Sequence, residues 1–215
     1  MAASTYGAFK IARTRGTAMR EHAAIQNLPP SPDREGGDAL LYPLNEFYEE
    51  AGLAIPSATR INGREMPEPY RHLLVHDRDM TPTLEAAYGR KMTLRVLKYA
   101  LDNEVFSRQI LLIPEGSDSP VVFGAIKIYL DEFPSAAREL VLERKLPLGA
   151  ILESQAMKHF SRPDAFFEVE ADASMCDALD IAGPVKLYGR RNVLGNGTGR
   201  KLAQVLEILP PAKKL

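Results

Sequence analysis

Between residues 91 and 130, apolar and polar residues alternate, and the alternating runs are joined by connections too short to hold a helix. "KMTLRVLKYAL" (91–101) and "EVFSRQILLIP" (104–114) flank Asp102-Asn103, and "PVVFGAIKIYL" (120–130) follows closely. A period of two across a two-residue Asp-Asn link reads as a β-hairpin. Near the C-terminus, "PVKLYGRRNVL" (184–194) and "RKLAQVLEILP" (200–210) repeat the pattern around "GNGTG". Strands that neighbour in sequence and are joined by tight turns give a mostly antiparallel sheet. Helix-like segments lie between these groups: "DMTPTLEAAYG" (79–89), with Thr81 as N-cap, Pro82 at the first helical position and Gly89 closing it, then "FPSAARELVLERKL" (133–146), then a helix starting at Pro147. "DAFFEVEAD" (164–172) adds a further strand. The expected class is α+β, a mostly antiparallel sheet with helices covering one face.

The N-terminal part reads differently. "NLPPSPDREGGD" (27–38) packs three prolines and two glycines into a charged stretch, which favours extended chain. We expect residues 1–40 to form a flexible or loosely docked extension and 41–215 a single domain, with "LLYPLNEFYEEAG" (40–52) apolar enough to dock. Residues 1–20 lack a long apolar core, so neither a secretory signal nor a membrane span is expected, and a cytoplasmic location is. The formal net charge of −1 gives no reason to expect a nucleic-acid partner. The single cysteine, Cys176, excludes an internal disulfide framework and reads as a small buried hydrophobe. His72 and His76 are four apart, but "RHLLVHDRD" (71–79) reads as strand or loop, and no metal site is expected.

"GNGTGRK" (195–201) invites a nucleotide reading and does not support it. Lys201 precedes leucine where a phosphate-binding loop needs serine or threonine, and no dinucleotide fingerprint aligns. The stretch reads instead as a hairpin turn, and this sets the parity of the strand after it. Ala203, Val205, Glu207 and Leu209 share one face, on which Glu207 is the sole charge. On the strand at 104–112, Phe106, Arg108, Ile110 and Leu112 share a face on which Arg108 is alone. Buried charges need a partner or a ligand. Either Arg108 and Glu207 pair with each other or they face a bound molecule, for which a planar guanidinium suits a carboxylate. Arg191 falls on the face with Leu187 and Val193 and Arg190 on the other, with at least one of the two expected at the surface. Pro147 and Gly149 in "LPLG" could hold a turn whose amides face a ligand.

From about residue 72 to 211 the sequence resembles the chorismate lyase (chorismate–pyruvate lyase) family. The blocks that carry the resemblance are "DRDMTPTLE", "SRQILL", "FGAIKIYLDEFP", "LPLGAIL" and "YGRRNVL...RKLAQVLEILP", in matching order. The resemblance implies a buried ligand pocket in an antiparallel-sheet fold with helices on one side. It places the family's binding arginine on Arg108, its acidic residue on Glu207, and two ligand-contacting residues on Met80 and Leu148; Arg191 joins them as a further substrate-binding candidate. It also implies a cofactor-free elimination of pyruvate from chorismate to give 4-hydroxybenzoate, with Arg108 clamping the ring carboxylate and Glu207 orienting the C4 hydroxyl. One departure concerns position 125, where Ala125 stands in place of an arginine of the ubiquinone-pathway lyase. The alternative is a non-catalytic aromatic-acid-binding protein of the same fold, or a related chorismate-using enzyme with a different product.

Overall fold

A computed structural model describes residues 37–212, and the expected N-terminal extension lies almost wholly outside the described residues. In chain order the elements are α1 (Gly37–Leu40), α2 (Leu44–Glu50), β1 (Ala58–Ile61), α3 (Tyr70–Leu74), α4 (Met80–Tyr88), β2 (Met92–Asp102), β3 (Val105–Pro114), β4 (Val122–Tyr129), α5 (Ser135–Glu143), α6 (Leu148–Ser154), β5 (His159–Glu170), α7 (Ala173–Leu179), β6 (Lys186–Asn196) and β7 (Lys201–Leu209). The strands form one seven-stranded sheet in the order β1-β5-β6-β7-β4-β3-β2, and every neighbouring pair is antiparallel. The fold class is therefore α+β, as the alternation implies.

Parity along the strands divides the sheet into two faces. One carries Phe106, Arg108, Ile110 and Leu112 of β3 together with Val205, Glu207 and Leu209 of β7. Its apolar members pack against α3 and α4 on one side and α5 and α6 on the other. The second face carries Leu111, Phe123, Phe167, Leu187, Leu206 and Ile208, and it too has helical cover, from α2 through Leu44, Phe47 and Tyr48 and from α7 through Met175, Cys176 and Leu179. The segment at 40–52 thus docks as its apolar content suggests. Cys176 is buried, as a small hydrophobe should be.

Several boundaries differ from the sequence reading. Tyr70–Leu74 is helical although "RHLLVHDRD" reads as strand or loop; Tyr70, Leu73 and Leu74 are buried, which is a helical spacing of three and four. The helix predicted with Thr81 at its N-cap begins at Met80, after the extended Asp79, and closes as predicted at Gly89, whose φ is +62°. β5 starts at His159, so His159 and Phe160 open a strand and α6 ends at Ser154. The β6–β7 connection is the expected turn. Asn196 Oδ1 accepts from the backbone N–H of Thr198 and of Arg200, each at 3.0 Å, and Gly199 takes φ +83°. No helix among the described residues is long and apolar enough to cross a membrane.

Candidate functional site

Register sets the geometry of the site. Arg108 on β3 lies opposite Ile126 on β4, Ile126 opposite Val205 on β7, and Val205 opposite Asn192 on β6. The row runs polar, apolar, apolar, polar. At ~4.8 Å per strand its ends are roughly 14 Å apart along the backbone. Two residues along the strands runs a second row, Ile110, Gly124, Glu207 and Arg190. β4 and β7 approach closely here because residue 124 is glycine: a Cβ would sit 2.2 Å from the Leu206 carbonyl oxygen. Over these rows lies a cavity of about 70 Å³. Its floor is Ile110, Ile126, Val205 and Leu194, and its roof is the start of α4 (Asp79, Met80, Thr81) and the turn Pro147-Leu148-Gly149.

Glu207 does not pair with Arg108. Its Oε2 accepts from Arg190 Nε at 2.6 Å, across the β6–β7 pair. Arg190 is fully buried. Its remaining nitrogens donate to the carbonyls of Leu74 (3.3 Å), His76 (3.1 Å) and Arg78 (3.2 Å) and to His76 Nδ1 (3.3 Å). His76 Nδ1 also accepts from the Arg78 amide (3.2 Å), while its Nε2 lies 2.8 Å from the Leu73 carbonyl. The ring therefore fits as the neutral Nε2–H tautomer. Burial, followed by the nearby Arg190 charge, holds its pKa below the ordinary value. Every nitrogen of the guanidinium has an acceptor, and with Glu207 it forms a buried ion pair.

Arg108 is the opposite case. It is 1% exposed, and its one hydrogen bond among the described residues runs from Nη2 to the Leu146 carbonyl at 3.2 Å. Nε and Nη1 are buried without a partner. Desolvation lowers its pKa to about 10, which leaves it cationic at neutral pH. The cavity holds two further unpartnered buried atoms, Asp79 Oδ1 and Asn192 Oδ1.

The structure brings four of the five sequence-derived residues to one cavity: Met80, Arg108, Leu148 and Glu207 all line it. Arg191 is elsewhere. It is opposite Leu206 on the second face, where Nε donates to Asp164 Oδ1 at 2.8 Å and Nη1 to the Ala39 carbonyl. Neither Arg190 nor Arg191 is at the surface, contrary to expectation, because each has an acidic partner within the fold. Asp79 and Asn192 escape the sequence reading, which names Arg190 but gives it no partner. Among the described residues, no group of three or more His, Cys, Asp or Glu side chains is placed to hold a metal.

No protein-family model and no curated protein matches the sequence. Several solved structures are similar to this chain. The effector domain of PhnF from Mycobacterium smegmatis superposes with a TM-score of 0.47 at 12% identity, over 62% of this chain and 88% of that one. The ligand-binding domain of a regulator assigned to the GntR family from Bordetella bronchiseptica gives 0.42 at 14%, over 56% and 86%. PhnF itself gives 0.45 at 13%, over 80% and 94%. The expectation of a chorismate lyase is corrected by this finding: the first two are an effector domain and the ligand-binding domain of a regulator assigned to the GntR family, and none of the three is named as a lyase. Glu207, the residue expected to orient a substrate hydroxyl, is engaged through Oε2 by Arg190.

Proposed function

We propose that this chain binds a small carboxylic acid with an apolar, ring-sized body and does not transform it. The observation that carries the reading is Arg108: a desolvated cation with two nitrogens, Nε and Nη1, facing no acceptor, on an otherwise apolar floor. An unsatisfied buried donor costs about 1–3 kcal/mol, more when charged. A carboxylate on one guanidinium edge, Nη2 with either Nε or Nη1, makes two charge-assisted hydrogen bonds in the planar arrangement a guanidinium offers. Leu94, Ile110, Ile126, Leu148 and Val205 supply apolar contact for the body of the ligand. The cavity, about 70 Å³, is smaller than the ~150 Å³ that receives a benzene ring, so binding includes an outward shift of part of the lining. An aromatic acid is the ligand type that this combination favours.

Calorimetric titration with benzoate tests the reading. Wild type is expected to bind, and Arg108→Ala to lose at least about tenfold in affinity, the loss of one charged hydrogen bond. Unchanged affinity in Arg108→Ala would remove the reading. Chorismate incubated with the protein should stay intact; release of pyruvate would overturn the non-catalytic part.

A further inference from the structure

The cavity contains unsatisfied acceptors as well as unsatisfied donors, and the acceptors are held in place. Asp79 gives Oδ2 to His159 Nε2 at 2.7 Å, while His159 Nδ1 lies 3.0 Å from the Met157 carbonyl. The imidazole thus sits between two acceptors, a carboxylate and a carbonyl, and only its doubly protonated form donates to both. The hydrogen bond to Asp79 correspondingly raises the pKa of His159. Asp79 is left with a neutralised charge and one buried oxygen, Oδ1, that accepts from nothing. Asn192 is oriented by a different route. Ser161 Oγ donates to the Arg78 carbonyl at 3.3 Å, so only a lone pair faces Asn192, whose Nδ2 donates to it at 2.8 Å. The amide oxygen must then point away from Ser161, and it too lacks a donor.

Both acceptors are held by side chains of β5, Asp79 by His159 and Asn192 by Ser161. Asn192 is at the far end of the Arg108 row, and His159, which holds Asp79, is on β5, the strand beyond β6. Between the two ends the floor is Ile126 and Val205. We propose that the bound acid also carries an N–H or O–H donor at the end remote from its carboxylate, and that Asp79 and Asn192 recognise it, with His159 as the positioning residue. This rests on the reading of Arg108 as the carboxylate site. A group with two hydrogens, such as a primary amine, can serve both acceptors, whereas a hydroxyl can serve only one.

The test compares two acids of nearly the same shape, 4-aminobenzoate and 4-methylbenzoate, by calorimetry on the full chain. Wild type should bind the amine at least about tenfold more tightly, the worth of one or two hydrogen bonds to otherwise unpaired buried groups. Asp79→Ala should erase most of that preference and leave 4-methylbenzoate affinity within about threefold, a split that a general loss of structure would not produce. His159→Gln should reduce the preference less, because an amide N–H can still hold Oδ2. Should Asp79→Ala not fold, Asn192→Leu carries the same test with a smaller expected loss of preference. Equal affinity for the two acids, both lost in Arg108→Ala, would overturn the donor proposal and leave the carboxylate reading standing. Binding of neither acid by wild type would overturn both.

Discussion

Arg108 and Arg190 rise from the same face of the same sheet, both essentially inaccessible to water, and their surroundings differ in almost every other respect. Arg190 has a carboxylate, three carbonyls and an imidazole nitrogen around it. Arg108 has one carbonyl and a cavity. Burial alone therefore says little about the work a charge does. A buried cation whose nitrogens all have acceptors belongs to the architecture, and one with nitrogens left unpaired belongs to whatever fills the space before it.

Replacing each arginine by methionine sharpens the contrast. Arg190→Met strands the Glu207 carboxylate and frees three carbonyls, and it is expected to cost about 3–5 kcal/mol in urea unfolding. Arg108→Met removes an unsatisfied charge and keeps an apolar chain of similar length. The ligand-free protein should gain about 1–3 kcal/mol while acid binding is lost. Two losses of similar size would break the comparison. The smallest effect is in pH dependence. His159, raised, contributes stability that is complete below its unfolded value of about 6.5 and is lost as pH rises through its folded value. His76, lowered, contributes stability present above about 6.5 and lost as pH falls. Urea midpoints across this range should flatten on the alkaline side in His159→Gln and on the acid side in His76→Gln. Flattening on the same side in both would mean that the two histidines do not belong to differently charged surroundings.

Much of this was readable in advance. Alternation put Arg108 and Glu207 on their faces, and the hairpin loop put Glu207 in register. The same loop also held the partner that was overlooked. Counting six residues back from Asn196 and six forward from Lys201 arrives at Arg190 and Glu207, which pair. Parity within one strand cannot show this, since it separates Arg190 from Arg191 without saying which face meets which neighbour. Asp79, His159 and Ser161 were illegible for another reason. Their association joins the start of α4 to β5, 80 residues apart for the Asp79–His159 pair, and no local period reports on contacts of that range. The short helix at Tyr70–Leu74 was missed because five residues hold too little of a 3.6-residue period to distinguish it from a strand.

The bonds made by the two arginines also give the cavity roof a fixed side and a loose side. Arg190 ties the chain at 74–78, just before α4, with four hydrogen bonds among the described residues. Arg108 ties the turn before α6 with one, to the Leu146 carbonyl, and Leu146 itself is 40% exposed. A carboxylate arriving at Arg108 competes for that single tether, and nothing it offers competes for the four. The roof is thus held by four bonds along the edge that Arg190 ties and by one at the turn 146–149.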